Sequence, residues 1–368
     1  KDMPTIFVKD NLRSSVEAAT GGKVTVLYDD KGYPSYMNVV PKFNCEDIDA
    51  ALGTGVYPAF IVNGVEKSQI FVGQYQAIVK DSRAVSLPGV DPATSVNFDN
   101  ALLYCKNKGQ GWHLMTNAEW CALAYWCWKN SSQPRGNTNY GRSHAATYET
   151  GRRVDGAAPG VTTGTPRTYT GSGPASWRHD NTWAGIADLV GNIWEWVGGL
   201  RLNVGEIQIL PNNDAADNTK DHGAASSAWK AILASDGSLV NPGTAGTLKY
   251  DSASAGTTGN VGVPQLDDVI DNSNAPASGD DGYTSVDFQS LAADAGITVP
   301  TLLKRLLLFP HAATGLNGKI YVRNYGERMP IRGGGWGNGA DAGLFALYLR
   351  DPRSNSNSNI GFRPAFVS

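Results

Sequence analysis

Apolar positions along this chain recur in short runs and change their period from segment to segment. From residue 1 to about 65, β-like runs such as Lys23-Val24-Thr25-Val26-Leu27-Tyr28 alternate with turn clusters such as Asp29-Asp30-Lys31-Gly32, which predicts a small β-rich N-terminal lead-in. Ile70 to Val79 reads as a strand. Asn97 to Lys108 then spaces Phe98, Ala101, Leu102 and Cys105 as one face of a helix. Thr116-Asn117-Ala118-Glu119 is a capping box immediately before the apolar run Trp120 to Trp128, so a second helix starts there. From Ser131 to His179, and again from Pro211 to about Asp287, the chain is rich in small and turn-forming residues without periodicity. Both stretches are expected to be long loops or insertions packed on a scaffold.

The last forty residues carry a sharper pattern. In Leu344 to Arg350, alternation places Phe345, Leu347 and Leu349 on one side of a strand and Tyr348 and Arg350 on the other, so an aromatic ring and a cation are expected to face outward together. Ser354-Asn355-Ser356-Asn357-Ser358-Asn359 has the composition of a linker, yet the apolar ending Ile360 to Val367 follows it directly. Asn355, Asn357 and Asn359 recur at period two, which predicts one shared face, with Trp336, Phe362 and Phe366 as anchors beneath.

Composition narrows the class. The chain has 368 residues, 41% hydrophobic and 18% charged, with a formal net charge of −3. It lacks the basic excess that phosphate-backbone binding exploits, and nucleic acid is not an expected partner. Gly at 43 and Trp at 10 suit a loop-rich α+β fold with large apolar anchors. No stretch reaches the roughly 18–20 consecutive apolar residues needed to span a bilayer, since Leu302 to Pro310 is broken by Lys304 and Arg305. Lys1-Asp2-Met3-Pro4 has no basic-then-apolar leader pattern.

Chemistry-bearing constellations are few. Cys45, Cys105, Cys121 and Cys127 show neither zinc-site spacing nor the density of a disulfide framework, and are expected as buried thiols. His113, His144, His179, His222 and His311 form no paired metal motif. Asp214, Asp217, Asp221 and the pair Asp280-Asp281 offer oxygens to a structural calcium ion but do not match an EF-hand, and solvated acidic loops are the expectation. The Gly333 to Gly337 run fits no phosphate-binding loop, and no G-x-S-x-G elbow occurs. Glu119 and Glu195 are read as ordering the fold through backbone or Arg hydrogen bonds, and not as an acid–base pair. No catalytic residue, metal site or cofactor is assigned.

Four motifs combine in order: Trp112 to Trp120, containing Leu114-Met115-Thr116-Asn117-Ala118-Glu119-Trp120; Asp188-Leu189-Val190-Gly191-Asn192-Ile193-Trp194-Glu195-Trp196; Ile331-Arg332-Gly333-Gly334-Gly335-Trp336; and Gly361-Phe362-Arg363. Together they resemble the L-P-T-E-A-E-W, D-x-x-G-N-V-W-E-W, R-G-G-S-W and G-F-R signatures of the formylglycine-generating-enzyme, or sulfatase-modifying-factor, family. The resemblance covers about residues 68–200 and 310–368. It implies a C-type lectin fold of the formylglycine-generating-enzyme subtype over residues 66–368, interrupted by an insertion at about 201–309. That family's oxidase activity depends on two cysteines near the C-terminal end, whereas this chain has none after Cys127. The histidine cluster of iron-dependent sulfoxide-synthase relatives is also missing. The resemblance therefore implies the fold without those chemistries.

The segment from about 335 to 363 is also similar to the variable repeat of diversity-generating-retroelement variable proteins, which share this fold. In those systems adenine-directed mutagenesis replaces Asn codons while the scaffold stays fixed. The likeness implies a diversified ligand- or receptor-binding protein of a phage tail or bacterial surface. Its replaceable positions would be Gly337, Asn338, Gly339, Asp341, Tyr348, Arg350, Asp351, Asn355, Asn357 and Asn359, and its partner a protein or glycan on a target cell. A homo-oligomer would suit such a role by adding weak sites together. Two other readings stay open: a sulfatase-modifying-factor-like enzyme with a different active site, and a structural virion or surface protein.

Overall fold

The computed structural model describes residues 10–368, and the first nine residues of the expected lead-in, Lys1-Asp2-Met3-Pro4 among them, lie outside the described residues. The architecture is α+β with few helices and many strands. Both expected helices form where their caps dictate, and a helix absent from the expected β-rich lead-in, Asn11–Thr20 (α1), precedes them; α2 is Phe98–Lys106 and α3 is Asn117–Lys129. In α2 the Asn97 side chain accepts the Asn100 N–H at 2.9 Å, satisfying one of the first-turn donors that an α-helix leaves unpaired. In α3 Thr116 Oγ1 accepts the Glu119 N–H at 3.1 Å while Glu119 Oε2 accepts the Thr116 N–H at 3.0 Å. Nearly all of α3 is buried, as its continuous apolar run requires.

A five-stranded sheet runs in spatial order Val24–Tyr28 (β1), Pro34–Pro41 (β2), Gln69–Gly73 (β3), the chain's last strand, and Trp112–Leu114 (β4). A six-stranded sheet is built from Trp194–Trp196 (β5), Thr284–Asp287 (β6), Lys319–Val322 (β7), Ile331–Gly333 (β8), Gly343–Leu349 (β9) and Ile360–Phe362 (β10), in spatial order β6-β7-β9-β8-β5-β10. The last strand, Pro364–Phe366 (β11), crosses from one sheet to the other and pairs antiparallel with both β3 and β4. Residues 24–41, expected within a lead-in, thus supply two strands of the same sheet that holds the C-terminal end. Ile70 to Val79 is not one strand, because the chain leaves the ladder after Gly73 and resumes at Ala77. Gln76 marks that break: its buried side chain donates to Asp188 O and Glu195 Oε1.

The region from 201 to 309 is more regular than its composition implies. It contributes most of a third sheet, including Leu200–Asn203, Glu206–Ile209, Lys249–Ser252 and Pro264–Asp267. Its last turn buries Leu303, Leu306, Leu307 and Leu308 in the main core beside α3. By contrast, 131–179 is largely loop, held by isolated bridges such as Asn137 to Gly191 and Arg153 to Thr168.

The signature motifs meet at buried polar contacts. Glu195 and Arg363, 1% and 0% exposed, form a bidentate pair with contacts of 2.9 and 2.8 Å. The same guanidinium donates to Gly73 O at 2.7 Å and Ala187 O at 2.9 Å, joining β5, β3 and the connection into β11. Arg332, also fully buried, donates to Asn117 Oδ1 at 2.8 Å and Leu307 O at 3.2 Å. All four cysteines are free and buried, as expected, and burial pushes the Cys121 thiol up to about 12.

Removing one partner of a buried ion pair strands the other charge. Glu195→Gln is therefore expected to lower unfolding free energy by about 3 kcal/mol or more in a denaturant titration. A change within about 0.5 kcal/mol, the usual effect of a surface substitution, would show that the pair does not hold the sheets together.

Candidate functional site

Two loops and one strand gather the expected site residues. The first loop leaves β8 through Gly333 and Gly334, both at φ near +90°. A Cβ on Gly333 would stand 2.6 Å from Leu189 O, and one on Gly334 would stand 2.4 Å from the Ala342 Cβ. Only glycine fits both the conformation and the space. Beyond them the backbone is tied down: Trp336 N–H donates to Asn192 O at 3.0 Å, Tyr140 N–H to Trp336 O at 2.8 Å, and Gly339 N–H to Thr138 O at 2.9 Å. Gly337 is exposed and Gly339 half-buried. Gly339 has open space where a Cβ would go but sits at φ +55°, a conformation that Gly, Asn and Asp accept more readily than other residues.

The second loop, residues 351–359, is not a strand, so the period-two face expected for Asn355, Asn357 and Asn359 does not form. Instead turns occur at both ends of the Ser/Asn tract, leaving Asn357 exposed and Asn355 and Asn359 half-buried. It is held to the scaffold by main-chain carbonyls and by the Arg353 guanidinium, which donates to Glu327 Oε2 and Asp99 Oδ1, each at 2.6 Å. Met329 N–H donates to Asp351 O at 2.9 Å, Phe98 N–H to Arg353 O at 3.1 Å, Ser95 N–H to Asn357 O at 3.0 Å and Trp194 N–H to Asn359 O at 2.9 Å. β9 ends at Leu349, and Pro352 has no N–H with which to extend its ladders.

Between the loops lies β9. Phe345, Leu347 and Leu349 are buried as expected, but Tyr348, Arg350 and Asp351 are half-buried and not a free outer face. The Tyr348 ring packs 5.4 Å from Trp194 and 5.2 Å from Tyr321, and burial raises its phenol to about 12. The outer side of this sheet is covered because it builds a second core around Trp194, Trp196 and Phe362. Arg350 stacks over Tyr283 with 3.5 Å to the ring centroid, a cation–π contact. Burial also raises the Asp351 carboxyl above its ordinary range.

The loops meet over Trp194. A Cβ added at Gly335 would be 3.3 Å from that ring, 3.4 Å from Asn338 Oδ1 and 3.6 Å from Asn359 Nδ2. Two expected site residues are engaged within the fold: Asn338 Oδ1 accepts the Gly335 N–H at 2.8 Å, and Asp341 takes Lys319 Nζ and the Tyr321 hydroxyl, each at 2.9 Å. Tyr140, Tyr283, Lys319 and Tyr321 also border this surface. Sequence reasoning missed them, because Tyr140 lies in the long loop, Tyr283 within the insertion, and Lys319 and Tyr321 just beyond it, and only the fold brings them here.

Among the described residues one acidic group has metal-like closeness, Asp251, Asp267 and Asp271, with ligand atoms within 4.8 Å of one another. Asp251 there accepts the Asp271 and Asn272 N–H groups at 2.9 and 3.1 Å and so organises a turn. The acidic runs noted in the sequence lie elsewhere: Asp214 and Asp217 bind Asn63, and Asp280 pairs with Arg328 at 2.7 Å. No helix among the described residues is long and apolar enough to cross a membrane.

The model of the sulfatase-modifying factor enzyme 1-like domain family matches residues 20–206. The chain belongs to that family, which agrees with the motif resemblance and with the α+β, C-type-lectin-type fold it implied. The match begins before β1, again placing residues 24–41 inside the domain. Among solved structures the chain is similar to Treponema denticola variable protein 1, at 12% identity and a TM-score of 0.35, covering 93% of this chain and 98% of that one. No curated protein matches it.

The packing separates two kinds of site residue. Tyr348→Ala should destabilise the protein by about 2–4 kcal/mol through lost aromatic packing. Asn357→Ala should stay within about 0.5 kcal/mol, since its side chain is exposed. Equal thermal midpoints for the two variants would show that Tyr348 is not part of the second core.

Proposed function

We propose that the chain is a diversified binding protein, a fixed scaffold whose segment at about 335–363 presents a replaceable surface. The observation that carries this reading is the way the two loops are held. At Trp336, Gly339, Asp351, Asn357 and Asn359 the tethers are main-chain hydrogen bonds, which survive a change of side chain; Arg353 alone among the tethering residues adds a side-chain tie, to Glu327 and Asp99. Gly337, Ser356, Asn357 and Ser358 are exposed between those tethers. Half-buried Tyr348 and Arg350 then act as an aromatic and cationic floor, the residue types that dominate binding hot spots. The surrounding Asn, Ser and Gly supply adaptable polar contacts, as in antibody paratopes.

The partner in this reading is a protein or glycan on a target cell, met by a phage tail or bacterial surface protein. A homo-oligomer would raise avidity. The chemistry of the family's enzymes is not supported here: oxidase activity requires exchangeable thiolates, and Cys45, Cys105, Cys121 and Cys127 are all buried.

Two results are expected. A displayed library randomised at Gly337, Ser356, Asn357 and Ser358 should yield binders to unrelated immobilised targets while keeping thermal midpoints within a few degrees of the parent. Loss of folding across the library would defeat the reading. Separately, incubation with a Cys-x-Pro-x-Arg peptide, with or without copper, should give no formylglycine above a no-protein control; product above control would favour the enzyme alternative.

A further inference from the structure

A cleft of about 510 Å³ opens between β2, α3 and the turn carrying His179 and Asp180. Its walls are apolar, formed by Val40, Phe43, Leu123 and Trp126, with Lys23 and Lys42 also lining it. Lys23 pairs with Asp180 at 3.2 Å and Lys42 with Glu66 at 2.9 Å, so the cations carry their own counter-charges. His179 stands with its ring 5.2 Å from that of Trp126. Its Nδ1 accepts the Ile186 N–H at 2.8 Å, which places the proton of the neutral ring on Nε2. Burial, the largest cause, pushes the imidazole down to about 4, so the ring stays neutral near pH 7. His179 is one of the residues lining the cleft.

Small-molecule sites have volumes of about 300–1000 Å³, predominantly apolar walls and a few fixed polar groups. This cleft has that size and that balance, with one oriented N–H donor beside an indole face. We propose that it binds a small, flat, uncharged aromatic molecule bearing a carbonyl-type acceptor, its ring against Trp126 and its acceptor toward His179 Nε2–H. No residue of the 335–363 segment lines the cleft, so this site stands apart from the surface proposed above.

Benzamide is a suitable probe, with toluene as a ring of similar size that lacks the acceptor. In the full chain labelled with nitrogen-15, the Trp126 indole N–H signal is assigned by its disappearance in Trp126→Phe. Benzamide should shift that signal saturably and bind at least fivefold more tightly than toluene. Val39→Trp, which adds bulk at a half-buried lining position, should weaken benzamide at least fivefold. His179→Phe should abolish the preference for benzamide over toluene. Should that variant fail to fold, the contrast between the two probes in the unaltered chain decides the matter. No saturable shift of the Trp126 signal, or equal affinity for both probes, overturns the proposal.

Discussion

The buried pair of Glu195 and Arg363 is the constraint on which the rest of this fold depends. Two charges removed from water require each other and require their remaining hydrogen bonds to be met. Here the carboxylate also takes Gln76 Nε2 at 3.0 Å and the guanidinium takes two main-chain carbonyls. Satisfying all of them at once fixes β5, the end of β3 and the start of β11 relative to one another. The value of such a pair lies in specifying one arrangement more than in net stabilisation, because an apolar substitute of the same shape would avoid the desolvation cost.

That fixed junction gives the loops their footing. Trp194 and Trp196 flank Glu195 in β5 with both indoles buried, and Trp194 lies beneath the point where Gly335 and Asn359 approach. Asn192, just before β5, accepts the Trp336 N–H on its carbonyl, while its side chain holds Thr168 of the long loop at 2.7 Å. The 131–179 loop is therefore a brace, passing through Thr138 and Tyr140 to the first site loop. Rigid elements below and main-chain tethers above carry the exposed Ser356, Asn357 and Ser358, while Asn338, Asp341, Tyr348 and Arg353 are engaged with the scaffold through their side chains.

Much of this was legible in the residues, and the failures have physical causes. The Thr116 capping box and the Trp-Glu-Trp and Gly-Phe-Arg motifs are local signals, so they located a helix start and the core anchors directly. The outward face of β9 was misread because alternation shows that two sides differ without showing that one is solvated; Tyr348 meets Trp194 and Tyr321 from distant segments. The Asn tract alternates as a strand would, yet its Ser and Asn side chains favour local turns, and turns are what form. The 201–309 region hid short strands in turn-rich composition, because each is only two to four residues long, too short for an alternating pattern to stand out. Tyr140, Tyr283, Lys319 and Tyr321 carried no local signal of their role.

The central claim, that the surface is held by its backbone and carried by a fixed core, is tested most directly by measuring protease resistance for every substitution from position 336 to 359. Gly337, Ser356, Asn357 and Ser358 should accept most side chains, while Trp336, Phe345, Leu347 and Tyr348 should accept few. Intolerance at Gly337 and Asn357 comparable to that at Tyr348 would contradict the account.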